Sequence, residues 1–149
     1  MAVSMVGCVN QHPEEANGTA ASSDDVRIVA TSPATADICD RLELDLVGVC
    51  SSTLSTIPER YKDVTQIGTA MSPDLEILKS LKPDYVLSPS SLQSDLQPKY
   101  ESIGVNSIFL NLKSVEGMYA SISDLGQKFD REEQAQALVD EFNAFMEEY

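Results

Sequence analysis

Short apolar segments alternate regularly with helical segments between residues 26 and 110, and this alternation most constrains what the chain can fold into. The predicted strands are residues 26–31, 46–50, 85–87 and 105–110. The predicted helices open at Pro33 and span residues 73–81 and 96–103, and a long loop covers residues 51–66. Alternating strands and helices form parallel sheets, because each helix returns the chain to the same end of the sheet. The sequence therefore predicts an α/β fold with an open, largely parallel sheet flanked by helices.

The last third of the sequence predicts two further helices. Ser114 is a suitable N-cap for the first, whose apolar residues recur at helical spacing over 115–125. Asp130 and Glu133 predict a capping box at the start of the second. The second helix reaches Tyr149 without glycine, proline or a basic last turn, so we expect a long C-terminal helix that is cut at this point.

Composition and charge limit the classes of partner. With 149 residues and 42% hydrophobic content, the chain can bury one core and little more. Ten Lys and Arg residues against 24 Asp and Glu residues give a net charge of −14, and the sequence has no basic cluster. We therefore expect no nucleic acid partner. Because the net charge repels anions at long range, an acidic ligand has to be held by local dipoles.

One methionine, Met71, stands directly before a well-signalled helix. Ser72 is a good N-cap, and Pro73 suits the first helical position because its missing N–H is not needed there. Met71 is therefore predicted to lie on a loop fixed by a rigid element. A soft thioether in a preset position can ligate haem iron. The alternative is that Met71 simply packs against its neighbours as an apolar side chain.

Six segments match a subfamily of bacterial binding proteins in order and spacing. They are residues 27–31, 46–49, 58–61, 68–76, 78–84 and 109–119. From Arg27 to its C-terminus the chain resembles the N-terminal lobe of the haem-binding lipoproteins of Gram-positive iron-regulated surface determinant systems. These lipoproteins are substrate-binding proteins of ABC importers.

The resemblance implies a fold and a function. The fold is one lobe of a class III periplasmic-binding-protein-like fold, with residues 26–128 as the α/β ligand-binding lobe and residues 129–149 as the start of a long helix between lobes. The function is haem binding in iron acquisition, without catalysis, with haem b as the transported ligand and Met71 as an axial ligand of the iron. In the family the second axial ligand is a histidine of the C-terminal lobe, and that lobe is absent from this sequence. The implied partners are haem, the ABC permease of a haem importer and cell-surface haem-carrier proteins.

The start of the first helix is a candidate site for the haem propionates. The N–H groups of Ala34 and Thr35 have no partner inside the helix, and such groups bind carboxylates. Pro33 has no N–H, so the donors are these two groups and the Ser32 side chain.

Other candidate residues lie on loops that follow predicted strands. Ser51 and Ser52 follow the second strand, and Ser90 and Ser91 follow the third, at the sheet edge where open α/β sheets bind ligands. Tyr61, in the long loop, matches a position near the haem in the family and is expected to stack on it or donate from its phenol. The alternative for each serine is turn and cap chemistry.

The N-terminus resembles a bacterial lipoprotein signal. Residues 5–8 read Met, Val, Gly, Cys, but the residues before them are too few for a whole signal peptide. We expect Cys8 to be lipidated in the full precursor, which anchors the protein on the extracellular face of the cell membrane; otherwise Cys8 is an ordinary thiol. Residues 1–25 are thus expected to be a signal remnant followed by a polar tether. His12 lies in this tether and is discounted as a haem ligand.

Two rival functions remain open. A siderophore or cobalamin receptor of the same fold needs no axial thioether. A small α/β enzyme would use Asp37, Asp74 and Glu76 as acid or base, although helix-dipole complementarity explains Asp74 and Glu76 without catalysis. A Ser/His/Asp triad is excluded because the sole histidine is in the tether.

The spacing of Cys39 and Cys50 allows a disulfide. Cys39 falls on the inward face of a predicted helix, and Cys50 falls at a strand end. Two buried thiols are therefore predicted instead.

Overall fold

The computed structural model describes residues 26–51 and 56–147. Within these residues, five parallel strands form one sheet, which five α-helices flank. The strands are β1 (Ile28–Ala30), β2 (Gly48–Val49), β3 (Thr65–Gln66), β4 (Tyr85–Pro89) and β5 (Ser107–Leu110). The helices are α1 (Pro33–Arg41), α2 (Leu75–Leu81), α3 (Gln93–Ser102), α4 (Val115–Lys128) and α5 (Glu132–Glu147). The predicted fold class, an open parallel α/β sheet ending in a long helix, is confirmed.

The strand order is β3-β2-β1-β4-β5, which places β1 at the centre. The chain builds one half of the sheet outward from β1 and then crosses to the other side of β1 to form β4 and β5. The carboxyl ends of β1 and β4 therefore flank the point where the direction of winding reverses. Open α/β sheets bind ligands outside such a point.

Strand β1 separates two apolar clusters, because consecutive side chains of a strand point to opposite faces. Ile28 and Ala30 join the cluster that includes residues of α1, α4 and α5, whereas Val29 joins the cluster of α2 and α3. All three side chains are fully buried. Burial on both faces explains why this strand is a continuous apolar run in the sequence.

Helices α4 and α5 pack on the same face of the sheet as α1. The Ser114 side chain caps α4 as predicted, accepting from the Gly117 N–H at 3.0 Å. The rings of Tyr119 and Phe142 stack at 6.5 Å between centroids and link the two helices. The apolar stripe of α5 is thus partly covered by α4.

Two predicted helix starts are wrong. Asp74, not Ser72, is the N-cap of α2: its side chain accepts from the N–H groups of Glu76 and Ile77 at 3.0 Å and 3.2 Å, and the helix begins at Leu75. Asp130 does not begin α5. It has a positive φ of 59° just after α4, and the next N–H, that of Arg131, donates to the carbonyl of Gly126. This is the pattern of a Schellman motif, so Asp130 ends α4.

The structure also differs from the prediction in the second half of the long loop and in α3. Strand β3 lies inside the predicted loop; its two residues, Thr65 and Gln66, are polar and exposed at the sheet edge, so they leave no apolar pattern. Helix α3 begins three residues earlier than predicted. Pro98 therefore lies inside the helix rather than in its first turn, and one intrahelical hydrogen bond is lost there.

The expected signal remnant and tether, including Cys8 and His12, lie outside the described residues. No helix within residues 26–51 and 56–147 has both the length and the apolar character needed to cross a membrane.

Candidate functional site

Met71 lies on a closed turn that follows β3 at the carboxyl edge of the sheet. The Asp74 N–H donates to the Ile67 carbonyl at 2.6 Å and closes the base of the turn. Gly68 and Pro73 form an antiparallel bridge just inside that base. The turn is therefore held by backbone hydrogen bonds, although Ser72 does not cap the helix as predicted.

The Met71 side chain is 72% exposed. This exposure contradicts the alternative interpretation of Met71 as a packed apolar residue. An unbranched apolar side chain normally lowers its free energy by burial, and this turn instead holds it in solvent. The turn thus presents a soft thioether at the sheet edge.

Gly68 permits the geometry of this turn. Its φ is +101°, a conformation that side chains other than glycine rarely adopt. A Cβ atom on Gly68 would also fall 3.0 Å from the Ser72 carbonyl oxygen. The position therefore favours glycine for two independent reasons.

Ser51 connects the Met71 turn to the loop after β2. Its N–H donates to the Gly68 carbonyl at 2.7 Å, and its hydroxyl donates to Gln66 Oε1 at 3.1 Å. Ser51 is half-buried, so it supports the turn as well as lying beside the candidate site. Ser52 lies outside the described residues.

At the start of α1, two of the three groups predicted to bind the propionates are already bonded to each other. Ser32 and Thr35 form a capping box: the Thr35 N–H donates to Ser32 Oγ at 3.1 Å, and the Ser32 N–H donates to Thr35 Oγ1 at 3.1 Å. Both residues are buried, so neither the Thr35 N–H nor the Ser32 side chain is free for a ligand as expected. Ala34 is exposed at the same helix start, and its N–H is the remaining donor among the predicted groups.

Ser90 and Ser91 begin a short 3₁₀ helix, Ser90–Leu92, directly after β4. Ser90 is half-buried and Ser91 is exposed. Since β4 neighbours β1, these serines follow the strand next to the one that leads into α1. Apart from Tyr61, the described candidate residues thus share the carboxyl edge of the sheet. The β1 and β3 ends are two strand spacings apart, about 10 Å, so a ligand that contacts both has to be extended.

The predicted role of Tyr61 beside the ligand is wrong. Its side chain is 1% exposed, and its hydroxyl donates to the Leu44 carbonyl at 2.5 Å. Burial, together with the nearby Cys39, raises the pKa of the phenol. Leu44 lies before β2, on the side of the amino end of that strand, so Tyr61 packs in the core and does not offer its ring or phenol to a ligand at the carboxyl edge.

Three buried hydroxyl groups that the sequence pattern does not predict lie at the switch point. Thr31 directly follows β1, Ser88 lies in β4 and Tyr100 lies in α3, and all three residues are fully buried. The Thr31 and Ser88 hydroxyls are 2.6 Å apart, and those of Ser88 and Tyr100 are 3.1 Å apart. The sequence offers one indication of these groups: Thr31 and Ser88 are the polar residues that directly follow the apolar residues of β1 and β4.

Two of the three carboxylates proposed for an enzyme have a structural role at the start of α2, where Glu76 lies in the first turn. Asp74 is the N-cap of α2. Asp37 lies in α1, where partial burial and the nearby Asp40 raise its pKa. A concavity of about 310 Å³ between α1 and α5 includes Asp37 and Asp40 in its lining. Their negative charge makes it a poor site for a carboxylate-bearing ligand.

The two described cysteines are free and buried, as predicted. Burial, with a smaller contribution from Asp40, raises the pKa of Cys39 to about 12. A neutral thiol is a poor metal ligand. Among residues 26–51 and 56–147, no three His, Cys, Asp or Glu side chains are grouped so that they hold a metal ion.

Known proteins show the same fold and related sequences. The chain is 37% identical over 142 residues to the high-affinity heme uptake system protein IsdE of Staphylococcus aureus (strain Newman), across 95% of this chain and 47% of that protein. The crystal structure of an ABC transporter substrate-binding protein from Listeria monocytogenes EGD-e matches with a TM-score of 0.80 and 41% identity, over 83% of this chain and 47% of that one. The structure of S. aureus IsdE complexed with heme matches with a TM-score of 0.77 and 41% identity, over 80% and 46%.

The chain therefore spans about half the length of the relatives it matches. These relatives are uptake and substrate-binding proteins, which confirms the prediction of a binding protein rather than an enzyme. The model of the periplasmic binding protein family matches residues 28–149. The chain belongs to the periplasmic binding protein family, and it corresponds to the N-terminal lobe of IsdE-like members.

Proposed function

We propose that the chain binds haem as the N-terminal lobe of a substrate-binding protein of an ABC importer, with Met71 as one axial ligand of the iron. The observation that carries the proposal is the thioether of Met71, held in solvent by a closed turn at the ligand-binding edge of the sheet. A relative with 41% identity in its aligned part has been solved with heme bound.

The chemistry of the turn suits haem iron. Thioether sulfur is a soft ligand that binds haem iron as an axial ligand, and it needs no deprotonation to do so. Fixing the sulfur before binding lowers the entropy lost when it coordinates. A flat ligand whose iron meets Met71 leaves its other axial position open, and we expect this position to admit water or an exogenous ligand.

The propionates require local donors, because the chain has a net charge of −14. We propose that they bind near the start of α1, where Ala34 is exposed and its N–H lies at the positive end of the helix dipole. Ser90 and Ser91 are proposed to line the same edge, beside the strand that leads into α1.

The cellular setting follows from the same proposal. The ligand is haem b, delivered by cell-surface haem-carrier proteins and passed to an ABC permease. Lipidation of Cys8 would hold the protein on the extracellular face of the membrane, since a diacylated cysteine is the type of anchor that the sequence around residues 5–8 predicts.

Titration of hemin into the purified chain, followed by the Soret band, tests this function. The parent is expected to give a saturable spectrum. Met71→Ala is expected to weaken binding and to shift the Soret band, because it removes an iron ligand. Met146→Ala is the matched control: Met146 is exposed as well, to 50%, but lies near the end of α5, and its removal is expected to change neither property.

Two outcomes would overturn the proposal. A parent chain that gives no saturable spectrum does not bind haem and leaves a siderophore or cobalamin receptor as the better interpretation. A saturable spectrum that Met71→Ala leaves unchanged would remove Met71 as the axial ligand.

A further inference from the structure

The three buried hydroxyls of Thr31, Ser88 and Tyr100 form one continuous chain across the switch point. It runs from α3 through β4 to the residue after β1, with oxygen separations of 3.1 Å and 2.6 Å. The Thr31 hydroxyl also donates to the Leu87 carbonyl at 3.0 Å. Each of the three hydroxyl oxygens has a hydrogen-bond partner, so none of them is an unsatisfied buried atom.

The hydrogen bonds of the three hydroxyls all run in one direction, from donor to acceptor, from Tyr100 to Ser88 to Thr31. The Leu87 carbonyl can only accept, so the one hydroxyl proton of Thr31 is committed to it. The bond between Thr31 and Ser88 must then use the Ser88 proton, and the bond between Ser88 and Tyr100 must use the Tyr100 proton. Burial raises the pKa of Tyr100, which keeps its phenol protonated and able to donate.

This direction fixes the rotamers of Thr31 and Ser88, because each hydroxyl has one acceptor and one donor. Thr31 is followed by Ser32, the N-cap of α1, and two residues later by Ala34. Ser88 is followed after one proline by Ser90 and Ser91. The three hydrogen-bonded hydroxyls therefore join the two loops on either side of the switch point at a defined separation.

Apolar residues would fill the same space without the need for hydrogen bonds. Replacing buried polar pairs by apolar groups of the same shape is often neutral for stability. A fully satisfied polar network instead selects one geometry over its neighbours. These hydroxyls are thus better suited to setting the position of two loops than to adding stability.

We propose that the Tyr100–Ser88–Thr31 chain is a positioning element for the carboxylate-bearing part of the ligand, and that it holds the start of α1 in register with the Ser90–Ser91 turn. This inference rests on the proposed binding of haem. Tyr100 touches no ligand in this scheme; it acts through Ser88 and Thr31.

The test compares haem with its dimethyl ester, which has the same iron and ring but no free carboxylates. Tyr100→Phe removes one oxygen and keeps a ring to stack on Phe109. Ser88→Ala interrupts the chain in the middle. Both variants are expected to bind haem about three- to tenfold more weakly than the parent, the range of one hydrogen bond, and to bind the ester as the parent does.

Val86→Ala is the control for simple loss of stability. Val86 lies two residues before Ser88 in the same strand and is fully buried in the α2 and α3 cluster, but it has no polar side-chain atom. It is expected to lower the unfolding midpoint in urea without changing the ratio of affinities for haem and the ester.

The outcomes separate the two proposals. A parent chain that binds neither ligand overturns haem binding itself. If the parent binds haem but Tyr100→Phe keeps the parental ratio of the two affinities, the positioning role is wrong and haem binding stands. Tyr100→Phe remains informative if Ser88→Ala fails to fold.

Discussion

Gly126 in α4 lies directly against Ala135 in α5. A Cβ atom built on Gly126 would fall 2.6 Å from Ala135 Cβ, closer than two methyl groups can approach. Both residues are buried, and Arg131 between them supplies the N–H that ends α4. The absence of a side chain at position 126 therefore sets the distance between the last two helices.

Gly126→Ala is expected to destabilise the protein despite the higher helix propensity of alanine. The propensity gain is about 1 kcal/mol, whereas forcing an extra methyl group into a packed contact costs about 1–3 kcal/mol. The free energy of unfolding in urea measures the net effect. Ser123→Ala, at an exposed position of the same helix, is the control and is expected to be neutral or slightly stabilising. A Gly126→Ala variant as stable as Ser123→Ala would show that the helices separate easily.

The cap of α2 gives a second prediction. Asp74→Ala is expected to lower the free energy of unfolding by about 1 kcal/mol, the usual effect of losing an N-cap side chain. The alanine keeps the backbone N–H that bonds to the Ile67 carbonyl, so the Met71 turn stays closed. Ser72→Ala is the matched control, and we expect its loss in the free energy of unfolding to be well under half of the loss for Asp74→Ala. The opposite order of the two losses would restore Ser72 as the cap.

The sequence predicted the sheet because its central strands are buried on both faces. Val29 and Val86 pack on one side of the sheet, and Ile28 and Leu87 pack on the other, so each strand leaves an uninterrupted apolar run. It missed β3 because an exposed edge strand of two polar residues has no such pattern. It placed Ser72 as a cap because serine and aspartate are both good caps, and only the three-dimensional turn decides between them.

The candidate site was predicted only in part, for a similar reason. The exposure of Met71 follows from a closed turn whose hydrogen bonds join residues on either side of it, and the sequence already indicated a fixed loop there. Tyr61 was misplaced because a phenol suits both a ligand site and a buried bond to a carbonyl. The Thr35 N–H was assigned to a ligand although Ser32 followed by Pro33 is itself the pattern of an N-cap, whose side chain accepts from that N–H.

Gly68 gives a prediction that connects backbone geometry to binding. Gly68→Ala has to adopt a φ near +101° and also meets the Ser72 carbonyl oxygen at 3.0 Å. Gly104→Ala is the matched control, because Gly104 has a φ of +75° but no atom within 4 Å of an added Cβ. Both variants are expected to lose about 1–2 kcal/mol of stability from the backbone conformation. Only Gly68→Ala is expected to weaken hemin binding as well, since it distorts the turn that holds Met71. Equal affinities for hemin in the two variants would argue against a fixed turn.

The last prediction concerns the ionisation of Cys39. Burial raises the pKa of this thiol from 9.0 to about 12 in the folded chain. The folded state therefore keeps its proton where the unfolded state releases it, and this group stabilises the folded state fully below pH 9.0 and progressively less as the pH rises towards 12. The expected result is a steeper loss of unfolding free energy between pH 9 and pH 10.5 in the parent than in Cys39→Ala.

Alkylation by iodoacetamide provides the complementary measurement, in a Cys8→Ser background that leaves Cys39 and Cys50. Because the thiolate is the reactive species, both buried thiols are expected to react at pH 8 only through unfolding. The labelling rate should then rise with urea in proportion to the unfolded population. Rapid labelling of Cys39 without denaturant would contradict its burial on the inward face of α1. Parallel pH profiles of the parent and Cys39→Ala would contradict the raised pKa.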